Sequence, residues 1–266
     1  MRSGVFAFFA TSVAAACAIG ACSLAVDTSG LSGAAVDGAA ADAVATTDAP
    51  ADGAVVTMTD AAVPDAAVTC EGGQQITSFG DFAIEGTTVV QGTTITATGS
   101  TSAVGNKISA TARGDYNAVP RQIRLSYDLT LTFSNSVYFE PGCAVYFSAP
   151  GLGTVLRHTL AANHAGFSSY INVDLPDGGE VDDNTSFADL PAAETTRHVD
   201  LAFATSGTNI ATEVAIDGVP HSKAVTVGGA PNQFFVRCGI PYGQQIAPGS
   251  FTTKVVVKNL TISLCP

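Results

Sequence analysis

In the segment RQIRLSYDLTLTF, residues 121–133, polar and apolar residues alternate without interruption from Gln122 onward. A period of two places all the apolar side chains on one face of a β-strand and the polar ones on the other. We therefore predict a long, half-buried strand. Its buried face is expected to carry Ile123, Leu125, Tyr127, Leu129, Leu131 and Phe133.

Similar runs recur after residue 70, among them CAVYFS, HVDLAFA, QFFVRC and VTVGG. The run ATEVAIDGVP contains Asp217 and Gly218, a pair that favours the positive φ angles of a tight hairpin. In FTTKVVVKNLTISL the apolar residues change phase, which predicts a bulge near Lys258 or Asn259. The fold class predicted is all-β, an antiparallel sandwich or jelly roll.

The first 21 residues have the features of a signal sequence, with Arg2 followed by an apolar stretch from Val5 to Ile19. The residues Ile-Gly-Ala-Cys, 19–22, resemble the bacterial lipobox, which is cleaved just before a cysteine that is then acylated. The resemblance implies lipidation of Cys22 and anchoring in the lipid bilayer. Ordinary cleavage or an uncleaved anchor are the alternatives. We expect an exported protein held at the bacterial cell envelope, facing the periplasm or the surface.

Residues 23–69 contain fifteen Ala and seven Asp but no aromatic residue, and Gly and Pro interrupt every helical window. This composition predicts a disordered tether. The predicted organisation is a signal sequence over residues 1–21, a lipidated cysteine and linker over 22–69, and a β-sandwich domain over 70–266.

The formal net charge is -12. Because phosphate binding needs a basic face, this charge argues against a nucleic-acid partner. Seven of the acidic residues lie in the tether, so the predicted domain is only mildly acidic.

The segments RHVDLAFATSGTNIATEVAIDGVPHSKAVTV and FTTKVVVKNLTISLCP resemble the strand and hairpin pattern of concanavalin A-like, or laminin G-like, jelly rolls. The resemblance covers about a third of the predicted domain. Arg197 stands where many members have Trp, and the chain contains no Trp. A sugar-binding platform would therefore need tyrosine rings. The candidates are Tyr116, Tyr138, Tyr146, Tyr170 and Tyr242, each of which is expected to pack in the core or the sheet instead.

Export would allow disulfides to persist, and four cysteines remain after the tether with no spacing typical of zinc sites. Three pairings are possible. The jelly-roll resemblance implies that the first and last strands are neighbours, which favours Cys70 with Cys265 and leaves Cys143 to pair with Cys238. Four reduced thiols are the alternative.

The acidic segment GGEVDDNTS is the strongest candidate for site chemistry. Its Glu180 and Asp182 resemble the acidic motif of glycoside hydrolases with this fold, but the second Glu that the motif requires is missing. The surrounding loop is also a candidate calcium site, because carboxylates are hard ligands. The laminin G-like resemblance supports this calcium site, and a solvated acidic loop is the alternative. The candidate calcium ligands are Asp174, Asp177, Asp182 and Asp183.

Two further features are interpreted as structural. The tripeptide Arg113-Gly114-Asp115 is expected to form a turn between strands. The four histidines show no spacing that suggests a catalytic triad or a metal cluster. They are His158, His164, His198 and His221.

The function predicted from the sequence is that of an anchored extracytoplasmic lipoprotein presenting a non-catalytic β-sandwich. Its role would be binding, of a glycan or a surface protein, or part of the envelope. We expect no enzymatic activity and no required cofactor. The alternatives are a glycan-active enzyme of concanavalin A-like fold and a purely structural envelope protein.

Overall fold

The structure is a computed structural model that describes residues 73–133, 137–163, 166–174, 180–188, 194–245 and 250–266. No helix in these ranges is long and apolar enough to cross a membrane. The signal sequence, Cys22, the linker and Cys70 lie outside the described residues, so those predictions remain untested.

The strands are β1 (Gln74–Ile76), β2 (Ala83–Glu85), β3 (Thr87–Gln91), β4 (Thr94–Thr101), β5 (Lys107–Tyr116), β6 (Gln122–Phe133), β7 (Val137–Ala149), β8 (Gly153–Asn163), β9 (Gly166–Asp174), β10 (Glu180–Ala188), β11 (Thr196–Ser206), β12 (Asn209–Ile216), β13 (Val219–Thr226), β14 (Gln233–Gln245) and β15 (Phe251–Cys265).

These strands form two antiparallel sheets. The eight-stranded sheet has the order β13-β12-β11-β6-β15-β4-β3, and β1 also pairs with β15. The seven-stranded sheet has the order β10-β9-β8-β7-β14-β5-β2. The inner faces of both sheets supply one hydrophobic core. The predicted all-β antiparallel sandwich is confirmed.

The alternation predicted for residues 121–133 is confirmed in β6, at the centre of the eight-stranded sheet. Five of its six apolar side chains are at most 1% exposed, and Phe133 is partly buried against the core. Burial of each large apolar side chain stabilises the fold by about 1.5–3 kcal/mol. The fully buried ones are Ile123, Leu125, Tyr127, Leu129 and Leu131.

The two local irregularities predicted from the sequence are also present. The pairing of β15 with β6 shifts register between Lys258 and Thr261, and Asn259 has φ 53°. This bulge lets the apolar residues on both sides of it face the core. In the hairpin between β12 and β13, Asp217 has φ 50° and Gly218 has φ 80°.

The predicted pairing of Cys143 with Cys238 is confirmed. These residues face each other across β7 and β14, and their Cα atoms are 4.0 Å apart in the disulfide. Cys265 is also disulfide-bonded. Because Cys70 lies outside the described residues, the pairing of Cys70 with Cys265 stays a prediction.

The turn predicted for the Arg113–Asp115 tripeptide is wrong, because these three residues lie inside strand β5. The glycine serves close packing, because a Cβ at Gly114 would lie 2.4 Å from the Phe82 ring. The acidic segment that begins at Glu180 is likewise strand β10 rather than a loop. As the terminal strand of its sheet, β10 is a place where charged residues are tolerated.

Candidate functional site

A cleft of about 460 Å³ opens on the outer face of the seven-stranded sheet. Strands β5, β7, β8, β9, β10 and β14 each contribute side chains to it. We call it the Glu140 cleft, after the carboxyl group beneath it. Its lining consists of Lys107, Tyr138, Glu140, Arg157, Tyr170, Asn184, Tyr242 and Gln244.

Irregular pairing places these side chains together. The pairing of β14 with β7 shifts register between Gly239 and Tyr242, directly before Tyr242 meets Glu140. On β7, Gly142 has φ 94°, and a Cβ there would lie 2.6 Å from the Tyr127 hydroxyl oxygen. Bulges of this kind redirect side chains and are frequent beside active sites.

Glu140 is fully buried. Burial raises the pKa of its carboxyl to about 7, the nearby Arg157 lowers it, and Asp182 adds to the increase. The Arg157 Nη2 atom lies 3.5 Å from Glu140 Oε1. Neither carboxyl oxygen has a hydrogen-bond partner among the described residues. The Glu140 carboxyl can therefore gain or lose a proton near neutral pH.

Three tyrosine rings surround this carboxyl. The Tyr138 ring centroid lies 6.1 Å from those of Tyr170 and Tyr242, and both contacts are edge-to-face. The Arg157 guanidinium lies 4.8 Å from the Tyr170 ring centre, and the Lys107 ammonium lies 5.7 Å from that of Tyr242. The cleft therefore presents ring surfaces together with cationic hydrogen-bond donors.

The Tyr138 hydroxyl is buried and has no hydrogen-bond partner in the described part of the chain. Burial, and then the neighbouring Glu140, raise the pKa of this hydroxyl. The Arg157 Nε atom is similarly buried without a partner in the described ranges. Buried polar atoms normally form hydrogen bonds. These two unpaired atoms therefore indicate that a ligand or water supplies their hydrogen bonds.

Asp182 is a second carboxylate next to the cleft. Its Oδ1 atom accepts hydrogen bonds from the Tyr170 hydroxyl and the Asn172 amide, each at 2.8 Å. Burial first, and then this hydrogen bond, raise the pKa of Tyr170 to about 12. Asp182 therefore orients the Tyr170 side chain and helps to keep its hydroxyl protonated.

Of the predicted calcium set, the structure describes the side chains of Asp182 and Asp183 only. Asp182 and Asp183 are adjacent on β10, so their side chains point to opposite faces of the strand. Asp183 accepts a hydrogen bond from Thr185 and lies 3.5 Å from the Lys223 ammonium. Asp177 and the Asp174 side chain lie outside the described residues. The described part contains no cluster of acidic, His or Cys side chains suited to a metal, and the calcium site stays a prediction.

The five tyrosines considered as a sugar platform fall into three cases. Tyr116 stacks on the core residue Phe234, with ring centroids 4.4 Å apart, as the sequence analysis expected. Tyr138, Tyr170 and Tyr242 line the cleft instead. Tyr146 lies on the same outer face, stacked on Phe235 at 4.4 Å.

The sequence analysis missed Glu140 and Arg157. A signal was present, since Glu140 interrupts the apolar run VYFEPGCAVYF and Arg157 interrupts TVLRHTL. A lone charge inside a buried strand needs a partner or a function.

Two other cavities, of about 450 and 670 Å³, lie near Lys254 and near Arg121. Their linings contain no carboxyl group among the described residues. His158 is also separate from the site, because it is buried between Thr212 and Ser169. Burial lowers the pKa of His158 to about 3. The Glu140 cleft is therefore the best candidate for chemistry.

No protein-family model matches the chain, and no curated protein matches it in sequence. Solved structures with a similar fold include an alginate lyase from Alteromonas sp. 272, at 14% identity and a TM-score of 0.44, covering 68% of this chain and 92% of that one. A legume lectin-like domain from Entamoeba histolytica has 10% identity and a TM-score of 0.46, covering 70% and 90%. An alginate lyase of polysaccharide lyase family 7 has 10% identity and a TM-score of 0.46, covering 65% and 81%.

These structures are similar to this chain in fold alone, and the antiparallel sandwich is established by its own strand pairing. They contradict the prediction that the domain has no enzymatic activity, because alginate lyases are among the similar structures. At this level of identity the similarity concerns the fold and assigns no reaction to this chain.

Proposed function

We propose that the Glu140 cleft binds an oligosaccharide and that Glu140 transfers a proton during cleavage of a glycosidic bond. The observation that carries this proposal is the fully buried Glu140 carboxyl, which has no hydrogen-bond partner in the described structure and lines the same cleft as three tyrosine rings.

The lining supports a sugar ligand. Flat rings pack against the apolar faces of pyranoses, and a few well-placed polar groups orient the ligand. Tyr170 and Tyr242 supply such rings, and Asn184 and Gln244 supply amide groups at the same opening.

The cations of the cleft favour an acidic sugar over a neutral one. Lys107 and Arg157 are hydrogen-bond donors only, and the buried Arg157 Nε atom has no partner among the described residues. A carboxylate or sulfate group on the ligand would accept charge-assisted hydrogen bonds from them.

Glu140 supports catalysis because its pKa of about 7 leaves both protonation states populated near neutral pH. The protonated carboxyl could donate to a leaving oxygen, and the carboxylate could accept a proton from the sugar ring. Either transfer typically accelerates a reaction by about 10²- to 10⁴-fold.

The test is a screen of acidic and neutral polysaccharides for binding and cleavage by the wild-type protein. Release of reducing ends reports any cleavage, and ultraviolet absorbance of unsaturated sugars reports elimination. We expect activity on an acidic polymer and its loss in Glu140→Gln. Absence of binding to every polymer would favour the structural envelope protein.

We also propose that acylated Cys22 anchors the protein in the bilayer of the cell envelope, with residues 23–69 as the tether. The lipobox resemblance and the tether composition support this proposal. Cys22→Ser should move the protein to the soluble fraction and abolish palmitate labelling. Unchanged membrane partition would reject it.

A further inference from the structure

Next to the Glu140 cleft, two stacked aromatic rings are flanked by two guanidinium groups. The Arg113 guanidinium lies 4.3 Å from the Phe235 ring centre, and Phe235 stacks on Tyr146 with centroids 4.4 Å apart. The Arg237 guanidinium lies 5.7 Å from both ring centres. We call Arg113, Phe235, Arg237 and Tyr146 the arginine–aromatic ladder.

The ladder is continuous with the cleft. Tyr146 on β7 pairs with Arg157 on β8 on one side and with Phe235 on β14 on the other. Arg157 in turn covers the Tyr170 ring. The surface from Tyr170 to Arg113 therefore crosses the five strands β9, β8, β7, β14 and β5. With strands about 4.8 Å apart, it extends roughly 19 Å.

Three members of the ladder are partly exposed, Tyr146 is buried beneath the surface, and the two guanidiniums are held in place. The Arg113 side chain is 31% exposed and that of Arg237 is 25% exposed. Arg113 donates to Asp115 Oδ1 from Nε at 2.9 Å and from Nη2 at 2.7 Å. The Arg237 Nη2 atom lies 3.6 Å from Glu85 Oε1. Both guanidiniums are thus positioned before any ligand binds.

Arg237 retains donor capacity. Its Nε atom is buried and has no hydrogen-bond partner in the ranges that the structure describes. A stacked guanidinium still presents its N–H edge, and it forms its strongest hydrogen bonds with carboxylate or sulfate oxygens. The ring faces of Phe235 lie against Arg113 and Tyr146, and the partly exposed remainder of this side chain adds apolar surface beside the guanidiniums.

We propose that the arginine–aromatic ladder is a second binding platform, on which an acidic glycan chain continues after it leaves the Glu140 cleft. The site then takes several consecutive sugars, and the ladder sets its preference for long acidic chains. This inference rests on the proposed function of the cleft.

The test measures binding and cleavage of uronate oligosaccharides from the disaccharide to the hexasaccharide, with sulfated and neutral series in parallel. The variants are Phe235→Leu, which retains apolar bulk without the ring, and Arg113→Ala with Arg113→Lys. Lys254→Ala, on the eight-stranded sheet, is the control. All use the full-length protein in detergent, with melting temperatures measured.

We expect Phe235→Leu and Arg113→Ala to weaken binding of the longest acidic chains by about three- to tenfold, in line with one lost stacking or ion-pair contact. KM should rise while kcat is retained, because the lost contact is remote from the reacting bond. The disaccharide and the Lys254→Ala control should be unaffected. Arg113→Lys should recover part of the loss.

Equal effects on short and long chains, or a lower melting temperature with unchanged affinity, would show that the ladder only stabilises the sheet and would overturn this inference. If acidic chains bind and Glu140→Gln abolishes cleavage, the proposed function survives that result. If no oligosaccharide binds at any length, both proposals fail.

Discussion

The outer faces of the two sheets differ in the side chains that they present. Across the eight-stranded sheet, Thr96, Val256, Thr130 and Thr196 form one cross-strand row, and the last two share a hydroxyl hydrogen bond of 2.9 Å. Across the seven-stranded sheet, the corresponding positions carry rings and guanidiniums, such as Phe235 beside Tyr146 and Arg157. The two outer faces therefore differ in chemistry: one presents mainly hydroxyl side chains, and the other presents rings and guanidiniums around a buried carboxyl.

The difference extends to the carboxyl groups. Asp128, on the eight-stranded sheet, accepts hydrogen bonds from His198 at 2.9 Å and from Asn259 at 2.7 Å. These bonds, with that from His198 contributing most, lower the pKa of Asp128. Glu140 is buried beneath side chains instead, and its pKa is raised. Solvation and hydrogen bonding, rather than residue type, therefore decide which carboxyl is suited to proton transfer.

The largest expected effect is on kcat, and it should distinguish Glu140 from Asp128. Glu140→Gln should lower kcat for the substrate found in the polysaccharide screen by about 10²- to 10⁴-fold, because the amide cannot transfer the proton. Asp128→Asn is the matched control and should leave kcat unchanged. Equal losses in both variants would remove the functional distinction between the two faces.

The next effect concerns the stability of the sheet that carries the cleft. Replacing Cys143 and Cys238 by Ala removes a disulfide between β7 and β14. The free energy of unfolding should fall by about 2–5 kcal/mol, as measured by urea denaturation under oxidising conditions. A loss below about 1 kcal/mol would show that the two strands do not need this link.

A smaller effect is the pH dependence that Glu140 adds to stability. Its folded-state pKa of about 7 lies above the ordinary glutamate pKa of 4.5, so the folded protein prefers the protonated carboxyl. This contribution is complete below about pH 4.5 and is lost as the pH rises through about 7. Glu140→Gln should therefore gain stability relative to wild type between pH 5 and pH 8, by up to about 3 kcal/mol.

Urea denaturation of both proteins at about pH 5 and about pH 8 measures the gain in the free energy of unfolding of Glu140→Gln. Asp128→Asn should show the opposite sign. Because the folded-state pKa of Asp128 is lowered, its contribution is present above the unfolded-state value and lost as the pH falls through the folded-state value. If the stability of the two variants changed with pH in the same way, the conclusion that folding raises the pKa of Glu140 would be contradicted.

The smallest effect concerns His198 on the eight-stranded sheet. The hydrogen bond from its ring to Asp128 is the main cause that raises the pKa of His198, and Asp200 adds to it. Asp128→Asn should lower this pKa in an NMR titration. The associated stability is lost as the pH rises through the pKa of His198, and the exposure of the pair limits it to below about 1 kcal/mol. An unchanged titration would show that the pair is not formed in solution.

Much of the fold was predictable because its determinants are local. Alternation in β6, the phase change in β15 and the Asp217–Gly218 hairpin each depend on residues a few positions apart. Gly114 was misinterpreted because glycine is common both in turns and at close contacts. Only the position of the Phe82 ring distinguishes the two cases.

The candidate site was predictable only in its residue types. From the absence of Trp, the sequence predicted a sugar platform built from tyrosine rings, and it did not predict a part for Phe235. Which tyrosines are accessible depends on strand partners: Tyr116 stacks on Phe234 of β14 in the core, whereas Tyr138 and Tyr170, from β7 and β9, meet at the cleft.

The sequence by itself thus determined the antiparallel strands, the bulge in β15 and the hairpin, because the period of two and the φ preferences act within a few residues. Only the tertiary structure decided that Glu140 is buried beside Arg157 and lines the same cleft as three tyrosines. Its pKa depends on desolvation and on charges from strands distant in sequence. Those conditions exist only after the sheet has formed.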